Sequence, residues 1–175
     1  MVIRIKELDI HYEIFGEGEE TLLILHGWMA SIPAMAPIYQ YFGSHNHHLQ
    51  KPRRVVVLDF PGQGGTSEKL HTAWGVPEYS EMVREFMEAL ELKKPDVIGH
   101  SFGGRVAIYL ASTYPQIFSK IILTDSAGLV KKMSFSKKMK VMSYKIGKKF
   151  LKIFSSKETY EQNLNRLRKK YGSSD

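Results

Sequence analysis

The segment Pro95-Asp96-Val97-Ile98-Gly99-His100-Ser101-Phe102-Gly103-Gly104 decides how this chain folds. An apolar run with β character, residues 95–98, enters it, and a helix-like pattern from Arg105 to Tyr114 leaves it. The sequence therefore predicts a strand, a sharp turn with a serine at its apex, and a helix. A Gly-x-Ser-x-Gly pattern alone arises by chance in about one chain in fifteen of this length, given the ordinary abundance of Gly and Ser. The flanking elements give it meaning: Gly99 and Gly103 leave room where a strained turn presses backbone against its neighbours, and the turn holds the Ser101 hydroxyl out at the end of the strand. The alternative is a serine that N-caps an ordinary helix.

Two further runs have the same form. Thr21-Leu22-Leu23-Ile24-Leu25 is fully apolar and opens into His26-Gly27-Trp28-Met29; Val55-Val56-Val57-Leu58-Asp59 opens into Phe60-Pro61-Gly62-Gln63-Gly64. Both read as strands buried on two faces and followed by turn chemistry. In an open parallel sheet such loops gather at one edge, where ligands bind. Residues 1–6 and 8–15 alternate as a hairpin, with a turn at Gly16-Glu17-Gly18, and further strands are expected near 95–99 and 119–124. Helical spacing marks residues 33–42, 78–92 and 102–114; in the second of these Met82, Val83, Phe86, Met87 and Leu90 share one face. Strands alternating with helices predict an α/β fold, a mostly parallel sheet with helices on both faces.

On the loops His26-Gly27-Trp28, Asp59 to Gly64 and Gly99 to Gly104, in that order, the chain resembles the α/β-hydrolase family, of the lid-bearing type related to small esterases, C–C bond hydrolases and haloperoxidase-like enzymes. The resemblance covers residues 1–130 as the first part of the core and 131–175 as the start of a helical lid. It implies a serine hydrolase acting on a small-molecule acyl substrate, with no cofactor. Ser101 would be the nucleophile, and the backbone N–H groups of Trp28 and Phe102 would receive the oxyanion. His26, Gly27, Gly99 and Gly103 would shape the loops around them, and Asp59 would hold a structural turn, although Gly65-Thr66-Ser67 sets the family's usual serine one residue late. Asp125 stands where some lipases place the acid, and also reads as a turn residue leading into the lid. The family's base is a histidine late in the chain, and no histidine follows His100. His100 and His26 read as packing and loop-shaping residues, and neither His11 nor His71 has a reason to reach the serine. Little or no activity is expected of this chain on that ground.

The 175 residues suffice for one domain but are few for this fold, so the strand at 119–124 is expected as an open edge available to a second copy or a completing chain. The chain has no cysteine, which excludes disulfide and thiolate chemistry. Its N-terminus lacks the apolar segment of a signal peptide and no stretch reads as a membrane span, so a cytoplasmic location is expected. His45, His47 and His48 share a polar stretch, 43–54, without an accompanying carboxylate, which reads as a solvated loop and not a metal site.

The net charge of +7 is unevenly held. Residues 131–175 carry 14 Lys and Arg against three acids, a net +11, and the remainder of the chain is −4. From Phe135, apolar residues recur at Met139, Met142, Ile146, Phe150 and Ile153 among lysines, the pattern of a basic amphipathic helix. Besides a lid, such a helix suits an anionic membrane surface or an acidic partner, which leaves a non-catalytic binding module as the alternative function. Nucleic acid is not expected, because the aromatic residues belong to the stripe and not to a stacking platform.

Overall fold

Six strands form the sheet of the computed structural model, which describes residues 1–43, 53–66, 70, 72–128 and 134–171. β1 (Val2–Ile5) and β2 (Leu8–Phe15) make an antiparallel hairpin. β3 (Glu20–Leu25), β4 (Arg53–Leu58), β5 (Asp96–His100) and β6 (Ile121–Thr124) run parallel, and β2 joins them by pairing antiparallel with β4. The order across the sheet is β1-β2-β4-β3-β5-β6. β4 and β5 thus flank β3 on opposite sides, and this reversal of strand order opens a crevice beyond the carboxyl ends of β3 and β5.

The uniform apolarity of the central strands follows from burial on both faces. Leu22, Ile24, Val55, Val57 and Ile98 pack on one side with Ile32 and Met35. These last two belong to a 3-10 turn, Ile32–Met35, that leads into α1 (Ala36–Gly43). Leu23, Leu25, Val56, Leu58 and Val97 face the other way, against Met82, Val83 and Phe86 of α2 (Val76–Ala89) and Val106, Ala107 and Leu110 of α3 (Phe102–Thr113). Each side chain so buried contributes about 2 kcal/mol. This is the mostly parallel sheet, helices on both faces and N-terminal hairpin that the sequence predicts.

The boundaries differ for local reasons. The helix expected from residue 33 opens as the 3-10 turn at Ile32. α2 starts at Val76 rather than 78, because the Gly75 N–H donates to Glu78 Oε2 at 2.7 Å and Pro77 fits the first turn. It ends at Ala89 rather than 92, where the chain folds back and the Leu92 N–H reaches the Met87 carbonyl. β6 begins at Ile121 rather than 119 and is the last strand of the sheet, with Ile121 and Ile122 both exposed.

Contacts divide the chain into units Met1–Leu129 and Val130–Asp175. The second holds two helices, α4 (Phe135–Phe154) and α5 (Lys157–Tyr171). α5 is an addition to the sequence reading. Its signal is a narrow stripe, Tyr160, Leu164, Leu167 and Tyr171, of which Leu164 is buried and Leu167 lies against Gly147 of α4. No helix among the described residues is long and apolar enough to cross a membrane. His45, His47, His48, Ser67 and His71 lie outside the described residues.

Two buried polar side chains tie the loops at the carboxyl edge of the sheet. His26 is fully buried; its Nδ1–H donates to the Gly27 carbonyl at 2.8 Å and its Nε2 accepts the Phe60 N–H at 3.1 Å. These partners fix a neutral tautomer that joins the loop after β3 to the loop after β4. Burial holds the His26 pKa below its ordinary value, partly offset by the Gly27 hydrogen bond and by Asp59. The Asp59 carboxylate accepts the N–H groups of Ile32 and Gly65, each at 2.8 Å, and meets His11 Nδ1 at 2.8 Å. Thr66 completes the tie: its hydroxyl donates to the Asp59 carbonyl and accepts the His11 N–H.

Two stability experiments check this account. A Cβ at Gly103 would collide with the carbonyl oxygens of Leu25 and His26, which are backbone and cannot move aside. Gly103→Ala should therefore cost about 3 kcal/mol in urea denaturation; a cost near zero would mean that α3 is not held against β3 by this contact. His26 stays neutral in the folded chain, whereas the unfolded chain takes up a proton there as pH falls below about 6.5. Folded stability is then lost as pH drops from 7 towards 5, and His26→Asn should flatten that slope while lowering stability overall. Equal slopes in the two proteins would contradict a neutral, buried His26.

Candidate active site

β5 ends at His100, the chain reverses at Ser101, and α3 begins at Phe102. Space permits so abrupt a turn only because of its glycines. A Cβ at Gly99 would stand 2.6 Å from the Gly104 Cα, so helix and strand touch backbone to backbone there. Ser101 adopts φ 51°, ψ −107°, a conformation that costs a side-chain-bearing residue about 1–3 kcal/mol. The surroundings hold it there: the Ser101 N–H donates to the Thr124 carbonyl at 3.1 Å, and the Ser101 carbonyl accepts the Ala127 N–H at 2.9 Å. The Gly103 N–H donates to the His26 carbonyl at 3.0 Å and fixes the helix start against the loop after β3.

The hydroxyl of Ser101 makes no capping hydrogen bond to α3. That distinguishes this serine from an ordinary N-cap, whose oxygen accepts an N–H of the first turn. The loop after β3 passes directly beside it, since a Cβ at Gly27 would lie 3.4 Å from the Ser101 Cβ and 3.0 Å from His100 Nδ1. The N–H groups of Trp28 and Phe102, next along the two loops, have no acceptor among the described residues. They stand beside a half-buried serine hydroxyl at the N-terminus of α3, whose partial positive charge favours a developing anion.

Rings cluster beside the serine turn, a feature not anticipated from the sequence, where Trp28 and Phe102 mattered only for their N–H groups. Trp28 meets Phe102 edge-on at 5.1 Å and Tyr79 at 5.9 Å, and Phe60 meets Phe102 at 5.4 Å and Tyr79 at 5.7 Å. Burial pushes the Tyr79 phenol up. The signal was present: an aromatic residue follows each of β3, β4 and β5 within three positions. Beside this cluster lies an open cleft of about 420 Å³ lined by Trp28, Met29, Pro61, Gly62, Gln63, Leu70 and Tyr79. That cleft shares Trp28 and Met29 with the loop after β3 but no residue of the serine turn, and two larger clefts, of about 600 and 670 Å³, contain residues of neither.

Basic and acidic groups are placed less favourably for catalysis. Both ring nitrogens of His26 are engaged, and His11 is paired with Asp59. His100 packs against Gly27. Asp125 is exposed, at φ 43°, one residue beyond the Thr124 carbonyl that takes the Ser101 N–H. No histidine is hydrogen-bonded to it among the described residues. Asp59 reaches no part of the serine turn; its three partners belong to the loops after β3 and β4 and to β2. His11 and Thr66 complete that network, a role the sequence does not mark for either of them. Alternation along β2 sets His11 opposite buried Ile10 and Tyr12, but the pairing of Tyr12 with Leu58, which brings His11 to Asp59, is a register fixed by the folded sheet. Among the described residues no group of three His, Cys, Asp or Glu side chains is arranged to hold a metal ion.

Comparison with known proteins supplies the family. The chain is 32% identical over 125 residues to the dihydrolipoyllysine-residue acetyltransferase component of the acetoin cleaving system of Pseudomonas putida, covering 67% of this chain and 30% of that protein. It is 29% identical over 127 residues to a serine hydrolase-like protein of Danio rerio, covering 70% of this chain and 36% of that one. The chain thus spans about a third of the length of these relatives. Its fold matches that of an alpha/beta hydrolase fold protein of Burkholderia ambifaria with a TM-score of 0.65 at 16% identity, over 85% of this chain and 52% of the other. A family model described as the alpha/beta hydrolase fold matches residues 20–165, and with most of its length inside that match the chain belongs to the α/β-hydrolase family.

Proposed function

We propose that this chain carries the nucleophile and the oxyanion-binding loops of a serine hydrolase for an ester or similar small acyl substrate. The observation that carries the reading is the conformation of Ser101, held at a strained φ and ψ with its hydroxyl unused by the helix it precedes. Ser101 Oγ attacks the acyl carbonyl; the negative charge that develops on the carbonyl oxygen is received by the N–H groups of Trp28 and Phe102; the rings of Trp28 and Phe102, backed by buried Phe60 and Tyr79, wall the acyl side. His26, Gly27, Gly99 and Gly103 position these groups, and Asp125 serves as a turn residue. Residues 131–175 form a lid segment, a reading that rests on their place in the family's order. His11 and His26 are engaged elsewhere and no hydrogen bond joins His100 to Ser101 among the described residues, so the chain by itself is a slow catalyst.

Two measurements test this. Without a base, p-nitrophenyl butyrate hydrolysis by the chain should exceed the water rate by no more than about 10³–10⁴-fold, and Ser101→Ala should change it little. Robust turnover abolished by Ser101→Ala would show that a histidine of this chain is the base after all. The nucleophile itself can be tested without a base, because the chain has no cysteine and a single introduced thiol reports on its own position. A thiol beside the N-terminus of α3 is expected to have a lowered pKa. Ser101→Cys should take up one butyryl group, seen by intact mass, about tenfold faster than Ser112→Cys on the exposed side of α3. Equal rates would remove the oxyanion-binding assignment.

A further inference from the structure

We propose that the exposed apolar stripe of α4 docks on the surface of an anionic lipid bilayer, with the helix lying in the plane of the headgroups. Within the second unit α4 carries two apolar faces, and α5 covers one of them. The first meets α5, where a Cβ at Gly147 would stand 2.9 Å from Leu167. The second, formed by Phe135, Met139, Met142, Ile146 and Ile153, falls within roughly a quarter turn at 3.6 residues per turn, and is centred about a further quarter turn away from Gly147. α5 does not cover it: Phe135 is 79% exposed, Ile146 51% and Ile153 64%.

The charge beside this stripe identifies the occupant. α4 contains seven lysines and no acid. Lys138, Lys145, Lys149 and Lys152 border the stripe on the side away from Gly147, are exposed, and form no ion pair among the described residues. An apolar protein partner fits this arrangement poorly, because lysines are depleted where protein interfaces are dry. A nucleic acid would meet the charge and leave the apolar side chains in water. A headgroup layer of negative charge satisfies both: the apolar row enters the acyl boundary while the lysine stems lie along it with their ammonium groups among the phosphates. The helix is too charged to cross the bilayer, so it lies on it.

α4 lies in the segment proposed above as a lid, but membrane docking does not rest on the chemistry of Ser101, and its test uses binding instead of turnover. The full chain is sedimented with vesicles of phosphatidylcholine alone, or of phosphatidylcholine with about 30% phosphatidylglycerol. Each lysine near an anionic surface multiplies the partition coefficient roughly fivefold. Binding is expected to the anionic vesicles only, to vanish between about 50 and 500 mM NaCl, and to weaken at least about tenfold in the double variant Lys145→Gln/Lys149→Gln. Ile146→Asp should weaken it to a similar degree without loss of helical circular dichroism; should helix content fall, Phe135→Ser in the first turn provides the same test. Absence of binding at low salt would overturn the proposal. So would equal binding by the Ile146→Asp and Phe135→Ser variants, which would reduce the effect to a polycation's. Capture of the chain by polyglutamate but not by anionic vesicles would overturn it in favour of an acidic protein partner.

Discussion

The close approach of α3 to the ends of β3 and β5 is the constraint on which the rest of the site depends. Where the Gly99 and Gly103 hydrogens lie, any larger group would meet backbone that cannot yield. Only with those positions empty can the Gly103 N–H reach the His26 carbonyl, the Ser101 N–H reach Thr124 and the loop at Gly27 pass beside the serine. The strain at Ser101 is then sustained by packing and hydrogen bonds on both sides of it rather than by any partner of its own side chain. A serine in a relaxed turn would have returned its hydroxyl to the helix as a cap.

The loops that meet this turn are held by a second kind of interaction, the buried hydrogen-bond network around Asp59 and His26. A carboxylate with 1% exposure is tolerable only when its oxygens are satisfied, and Asp59 has two N–H donors and a histidine. Its partners come from three separate stretches of chain. Removing the carboxylate would strand several donors at once, which is why one aspartate can set the shape of two loops. His26 works the same way at smaller scale, joining Gly27 to Phe60 through one neutral ring. The loops at the carboxyl edge of the sheet are therefore tied together by side chains that take no part in the chemistry proposed for it.

The second unit follows different physics. Its cohesion rests on a narrow apolar stripe of α5 against the Gly147 face of α4, and its charge is almost entirely positive. A helix pair of that kind buries one face and offers another.

The sequence by itself determined much of this. Runs of four apolar residues followed by turn chemistry read as strands covered on both faces, glycines around a serine between strand and helix require a tight turn, and a run of lysines broken by apolar residues at helical spacing is an amphipathic helix. These are local properties, written in periods of two and 3.6 residues and in the space a missing Cβ leaves. The folded chain decided the rest: the pairing of Tyr12 with Leu58 that carries His11 to Asp59, the part Thr66 plays in that network, the ring cluster of Trp28, Phe60, Tyr79 and Phe102, and the packing of α5 on α4. Each joins residues distant in the chain through a strand register or a helix contact. Such partners carry no local period that marks them, and only the tertiary structure brings them together.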